Sequence, residues 1–142
     1  MKTRFLLAAA VLTMIGGVAF AGAQNSVPVQ IDFDLMTALG DQVTARTAMN
    51  DVELIGCGSR TTDDGMGGMF AFGFCQATDS EANNILCFTF NDNLIDAIEA
   101  LSAYSFISFN WQDDGAGGFE CTSVRSSTQS FYVPNFTTKG SN

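Results

Sequence analysis

Large and small residues alternate along residues 69–78, MFAFGFCQAT, with the two-residue period of a β-strand. Phe70, Phe72 and Phe74 share one face of this strand, and the opposite face is made mostly of small residues such as Gly73. Because protein interiors are close-packed, a face of small residues requires a bulky element to pack close to it. The pattern therefore predicts a strand with one aromatic face and one closely covered face.

Four further segments also show the hydrophobic pattern of a strand or a helix. Residues 85–90, 104–112 and 119–127 have the composition of strands, and residues 104–112 carry apolar side chains on both faces. Between them, apolar residues recur at helical spacing over residues 92–103, and Asn91 is a suitable N-cap. These segments predict three strands and one helix.

The N-terminal part is less regular. Residues 27–33 alternate enough to form an edge strand, where Pro28 is tolerated, and residues 34–39 predict one helical turn. Residues 42–48 and 52–59 flank a polar turn and predict a hairpin.

Without the N-terminal arm, the predicted order is strand, strand, strand, helix, strand, strand. This is the element order of an OB-fold, a five-stranded barrel with a helix between its third and fourth strands. The sequence therefore predicts a mainly β (α+β) domain, either a small antiparallel barrel or a sandwich with one helix, and the OB-like order favours the barrel.

The first 23 residues have the features of a cleaved signal peptide. Lys2 and Arg4 precede an apolar run that is shorter than a membrane span and ends in small residues. We expect export to the periplasm or the medium, with no membrane anchor after cleavage. Residues 24–134 then form a single β-rich domain, and residues 135–142 form a flexible C-terminal tail.

Cleavage makes an acidic chain more acidic. The whole chain has a net charge of −9, and loss of Lys2 and Arg4 leaves four basic and 15 acidic side chains, a net charge of −11. Such a chain is repelled by nucleic acids and by anionic lipid surfaces. The charge therefore favours a protein or a small ligand as the partner.

Four cysteines remain after cleavage: Cys57, Cys75, Cys87 and Cys121. An even number in an exported chain predicts two disulfides. Three pairings are possible. If residues 78–84 connect a hairpin, Cys75 lies opposite Cys87, and this register slightly favours Cys75–Cys87 with Cys57–Cys121.

The segment DDGxGG occurs twice, at Asp63–Asp64 and at Asp113–Asp114, each time before a strand that carries a cysteine. Aspartate and glycine are typical of hairpin turns. Carboxylates on flexible loops also suit Ca²⁺, although neither loop has EF-hand spacing. In an OB-like barrel both loops would border the ligand face, and the four aspartates would approach one another to form a Ca²⁺ site.

Catalytic patterns are weak. The chain has no histidine to activate a nucleophile, and no cofactor fingerprint precedes a helix. A small hydrolase that uses paired carboxylates would need a buried carboxylate in a cleft. We therefore predict a non-catalytic exported domain without a cofactor, which binds an unknown protein or small ligand or serves as a structural component. A Ca²⁺-dependent binding module is the alternative.

The aromatic residues allow two interpretations. They form the core of the domain, which we favour because few other large side chains are available, or they form a stacking platform for a ligand. The residues concerned are Phe70, Phe72, Phe74, Tyr104, Phe106, Phe109 and Trp111.

Overall fold

The computed structural model describes residues 23–134. Within this range the chain forms seven strands, two helices and a final 3₁₀ turn. Their bounds are β1 Gln30–Asp32, β2 Thr37–Asp41, α1 Gln42–Thr47, β3 Leu54–Asp63, β4 Met69–Thr78, β5 Asn84–Thr89, α2 Asp92–Glu99, β6 Phe106–Asp113, β7 Phe119–Ser127 and the 3₁₀ turn Ser130–Tyr132.

The strands predicted at residues 69–78 and 119–127 are confirmed at their full length as β4 and β7. The helix predicted at residues 92–103 is confirmed, although α2 ends at Glu99. Asn91 caps it as expected, because its side-chain oxygen accepts hydrogen bonds from the backbone N–H groups of Asn93 and Leu94.

Helix α2 covers the face of β4 that is made of small residues. Its buried side chains Ile95 and Ile98 lie against Gly73, where an added Cβ would come within 2.6 Å of the Ile98 Cδ1 atom. Gly73, Cys75 and Ala77 are all buried beneath it or beside it. The expected bulky neighbour of the small-residue face is therefore this helix.

All seven strands belong to one sheet in the order β1-β2-β6-β7-β5-β4-β3. The class is therefore mainly β, and the element order from β3 to β7 is the predicted one. The sheet is mixed, because β5 and β7 are parallel while the other neighbours are antiparallel.

Of the two predicted architectures, the barrel is wrong, because the sheet is not closed, and the fold is consistent with the small sandwich. In a closed arrangement β6 would pair with β3. Instead β2 takes the free side of β6 over Thr37–Asp41. The N-terminal hairpin therefore occupies the hydrogen-bonding edge that closure needs, and β3 is left at the edge of the sheet.

The N-terminal predictions are partly wrong. β1 is an edge strand, as expected, but residues 37–39 belong to β2 and Gln42–Thr47 is a helix and not a strand. The cause is Asp41, which is buried and caps α1. Its carboxylate accepts hydrogen bonds from the Thr44 N–H at 2.7 Å, the Thr44 hydroxyl at 2.6 Å and the Val27 N–H at 2.6 Å.

Two disulfides join the four cysteines, but the favoured pairing is wrong. The bridges are Cys57–Cys75 and Cys87–Cys121. The register behind the prediction is correct, since Cys75 lies opposite Cys87, but Cys75 also lies opposite Cys57 on its other side. The cysteines thus form a row across β3, β4, β5 and β7, and pairing the middle two would leave the outer two about three strand spacings apart.

Residues 1–22 of the predicted signal peptide, which ends at residue 23, and the predicted tail, residues 135–142, lie outside the described residues. Across the described range, 23–134, none of the helices has the length and apolar character needed to cross a membrane. The two disulfides are typical of proteins that fold in an oxidising compartment.

Candidate binding surface

The outer face of β3, β4 and β5 carries a group of phenylalanine rings. Residues that are directly opposite in a ladder share a face, and Phe74 lies opposite both Gly58 and Phe88. Phe70 and Phe72 follow on the same face of β4, and Phe90 lies just past the end of β5. We call these five rings, Phe70, Phe72, Phe74, Phe88 and Phe90, the phenylalanine face.

Four of the rings contact one another in a continuous layer. The ring centroids are 5.7 Å apart for Phe70 and Phe72, 6.2 Å for Phe70 and Phe90, and 6.1 Å for Phe72 and Phe88. The Arg60 guanidinium lies 6.0 Å from the centre of the Phe74 ring, within cation–π range. The layer is therefore an ordered surface of aromatic edges and faces.

This layer is open to solvent. Phe90 is 68% exposed, Phe70 45% and Phe88 41%, and Leu86 beside them is 42% exposed. Contiguous exposed apolar patches often mark interaction surfaces in soluble proteins. The phenylalanine face is therefore the leading candidate for a binding surface.

Acidic residues are absent from the outward positions of β3, β4 and β5, although the chain has 15 of them. The one charged side chain on these positions is Arg60. On the neighbouring strand β7, Glu120 lies opposite Phe88, and its carboxylate accepts a hydrogen bond from the Gln112 side chain at 3.0 Å. In so acidic a protein, this face is electrostatically suited to contact a partner without charge repulsion.

The two DDGxGG segments form nearly identical hairpin loops. In the first, Asp64 Oδ1 accepts hydrogen bonds from Met66 N at 2.7 Å and Gly68 N at 2.9 Å. In the second, Asp114 Oδ1 accepts the corresponding bonds from Ala116 N and Gly118 N at the same distances.

Glycine is required at defined places in both loops. Gly65 and Gly115 have φ of 74°, and Gly67 and Gly117 have φ of 90°, a region that glycine adopts without strain. The repeated sequence therefore encodes a repeated turn.

The loop hydrogen bonds change the acidity of the two capping aspartates. The Met66 N–H and then the Gly68 N–H hold the pKa of Asp64 below its ordinary value of 3.8. The Ala116 N–H and the Gly118 N–H do the same to the pKa of Asp114. Both carboxylates thus stabilise the turns in their ionised form.

The sheet does not bring the two loops together. β4 is antiparallel to β5, and β5 is parallel to β7, so the loops that begin β4 and β7 lie at opposite ends of the sheet. Asp63 and Asp64 therefore do not join Asp113 and Asp114 in one site. Within residues 23–134, no group of three or more acidic or cysteine side chains is placed to hold a metal. Ca²⁺ binding by the DDGxGG loops stays a prediction.

A separate open groove of 620 Å³ lies between α1, the start of β3 and the segment before β6. Its wall carries Arg46, Asp51 and Glu53. Glu53 is already engaged, since its carboxylate accepts hydrogen bonds from Val29 N at 3.0 Å and Asn50 Nδ2 at 2.7 Å. The volume is that of a ligand pocket.

The aromatic residues considered from the sequence are divided by the structure. Phe109 and Trp111 are buried in the core, as favoured, and Phe106 is half-buried. Phe70 is on the exposed face, with Phe72 and Phe74 half-buried beside it, so the core interpretation is wrong for this strand.

Phe88 and Phe90 were not among the sequence candidates, although they belong to the same surface. The sequence contains one signal for the exposure of this surface. A strand whose second face is Gly73, Cys75 and Ala77 must give that second face to the helix, and this turns its phenylalanines outward.

No protein family model, curated protein or solved structure matches this chain.

Proposed function

We propose that this chain is a non-catalytic exported domain that binds another protein through the phenylalanine face. The observation that carries the proposal is an ordered, solvent-exposed layer of phenylalanines on three strands whose outward positions carry no acidic residue, in a chain with 15 acidic residues. Export to the periplasm or the medium is part of the proposal, supported by the signal-peptide pattern and the two disulfides.

The chemistry of the face favours a protein over other ligands. Small molecules bind in concave pockets, and an outer sheet face offers no such enclosure. Carbohydrate platforms need polar groups for the sugar hydroxyls, and phenylalanine lacks the polar handle of tyrosine or tryptophan. Anionic lipid and nucleic acid are disfavoured by the charge of the chain. The remaining partner chemistry is an apolar protein surface, and Arg60 provides one cation at its rim.

Site-specific photocrosslinking tests the proposal in the cells that produce the protein. A benzoyl-phenylalanine placed at Phe90 is expected to give one discrete adduct with a different protein. The same group at Leu35, which is 71% exposed in the turn between β1 and β2, is the matched control and should not give that adduct. No protein adduct at Phe90, or the same adduct at both positions, would contradict the proposal.

The partner identified by the adduct then allows a direct binding measurement. Phe90→Ser should weaken binding at least tenfold, which corresponds to about 1.4 kcal/mol, because aromatic residues at the centre of an interface carry much of its binding energy. Leu35→Ser should leave the Kd unchanged. Equal effects of the two substitutions would show that the interface lies elsewhere.

A further inference from the structure

β3 is a long edge strand with one side unpaired. It spans ten residues and pairs with β4 on one side, and within residues 23–134 no strand pairs with its other side. At the hairpin end, the Asp64 N–H donates to the Gly68 carbonyl at 3.0 Å, which fixes the alternation of the ladder. The backbone groups of alternate residues therefore point away from β4: those of Ile55, Cys57, Ser59, Thr61 and Asp63.

This edge lacks three of the features that prevent strand addition, namely a bulge, proline and lysine. Natural edge strands are shortened, bulged, or protected by proline or lysine. β3 has neither residue, and its register with β4 runs without a shift from Leu54 to Asp63. Such a strand is a template for another strand that brings its own unpaired backbone groups.

The strand is complementary to itself in one register. If two copies of β3 run antiparallel about Ser59, Ile55 faces Asp63, Cys57 faces Thr61, and Ser59 faces Ser59. All five outward residues of each copy are then paired. Pairing about Arg60 instead would place two Arg60 side chains opposite each other and leave Ile55 without a partner, and like charges directly opposite destabilise a sheet.

The same register fits the outer face. It places Arg60 of the second copy opposite Gly58, whose missing side chain leaves room for the Phe74 ring; an added Cβ there would lie 2.9 Å from the ring's Cζ. Arg60 of each copy would meet the Phe74 ring of the other, in addition to the contact it already makes within its own chain. The cation–π contact between Arg60 and Phe74 and the space at Gly58 therefore favour a second copy as the occupant.

We propose that β3 pairs antiparallel with β3 of a second copy of this chain about Ser59, so that two sheets join into one. This interface uses the edge of the sheet and does not depend on partner binding at the phenylalanine face. The net charge of the chain opposes the association, so screening by salt should strengthen it.

Sedimentation of the signal-free, oxidised protein tests whether it dimerises through the edge of β3. The wild type should sediment as a reversible dimer, with a lower Kd at 0.5 M than at about 0.1 M NaCl, since the Debye length shrinks. Thr61→Pro should sediment as a monomer, because proline removes an N–H that points away from β4 and is tolerated at such a position. Thr61→Val keeps the N–H and should remain dimeric. A monomeric wild type, or a dimeric Thr61→Pro, would overturn the proposal.

Mixed crosslinking tests the register without relying on the proline variant. In the proposed dimer Gly56 lies opposite Thr62 of the second copy in a close pair that does not exchange hydrogen bonds, about 4.5 Å between Cα atoms. A mixture of Gly56→Cys and Thr62→Cys proteins should form a covalent dimer under mild oxidation, and neither protein alone should do so. An added Cβ at Gly56 meets nothing within 4 Å, so this variant should fold. Equal amounts of dimer in the mixture and in the separate samples would overturn the proposed pairing.

The two proposals fail separately. Loss of dimerisation leaves the photocrosslink at Phe90 unaffected, because Phe90 lies past β5 and not at the β3 edge. A Phe90 adduct made only with a second copy of this chain would contradict the binding of a different protein at the phenylalanine face. It would not test the pairing of β3, which the mixed crosslink measures independently.

Discussion

The two faces of β4 have opposite compositions and opposite environments. On the inner face, Gly73, Cys75 and Ala77 are buried beneath or beside α2. On the outer face, Phe70 is almost half exposed. The large hydrophobic residues of this strand thus face solvent, and its smallest residues are in the core.

This difference teaches that side-chain size does not decide which face of a strand is buried. A helix needs space to approach a sheet closely, and small residues provide that space, while large residues on the same face would hold it away. The core beneath β4 is filled from the other side, by Ile95 and Ile98 of α2. The phenylalanines are therefore free to serve a surface role.

The largest expected effect on stability comes from the helix side of β4. Ile98→Ala should lower the free energy of unfolding by about 3 kcal/mol, because it removes a buried side chain beneath the sheet. Phe90→Ser should change it by no more than about 0.5 kcal/mol, as is usual for exposed positions. Urea unfolding followed by the fluorescence of Trp111, the single tryptophan, measures both. Equal losses would mean that the two faces contribute alike to stability.

A pair of glycines gives a smaller and sharper test. Gly73→Val should cost about 1–3 kcal/mol, since the new side chain would overlap Ile98 and also crowd Thr89, whose Cγ2 atom lies 3.1 Å from an added Cβ. Gly56→Val, on the outer face of β3, should be neutral or slightly stabilising, because valine favours strands and nothing lies within 4 Å. A tolerated Gly73→Val would show that α2 can move away from the sheet.

The smallest expected effect is on the pH dependence of stability, through the loop that joins β3 and β4. The pKa of Asp64 is lower in the folded protein than its ordinary value of 3.8, so its ionised form stabilises the fold above that pH. This contribution is lost as the pH falls from about 4 through the folded pKa. The stability of Asp64→Asn should therefore fall less steeply in this range than that of the wild type, and Asp114→Asn should behave alike. An identical pH dependence of wild type and variant would contradict this role.

Much of the fold from β3 onward is predictable because its signals are local. The period of residues 69–78, the Asn91 cap and the Asp–Gly turns each act within a few residues. The N-terminal part is not predictable in this way. The Asp41 cap of α1 bonds locally to Thr44, but the burial of Asp41 and its bond to Val27, 14 residues earlier, are tertiary contacts. Closure of the barrel is not predictable from local signals either, because it depends on which strand pairs with the free edge of β6, and β2 is distant from β6 in the sequence.

The candidate surface was only partly accessible from the sequence. The pattern identifies the aromatic face of β4, but its exposure depends on where α2 packs, and this is a tertiary fact. Phe90 joins the face because it stacks on Phe70 across the sheet, a contact that no sequence period indicates. The Asp–Gly loops were recognised as turns, but their separation depends on the parallel pairing of β5 and β7.

The row of cysteines also provides an error check during oxidation. Cys75 has a cysteine opposite it on both sides, so the one mistaken bridge between neighbours in the row is Cys75–Cys87. Once the sheet has formed, that bridge leaves Cys57 and Cys121 about 14 Å apart, beyond the reach of a disulfide. The wrong product therefore keeps two free thiols, which remain able to attack the mistaken bridge. The native product has none, so oxidative folding has a chemical end point that coincides with the correct strand order.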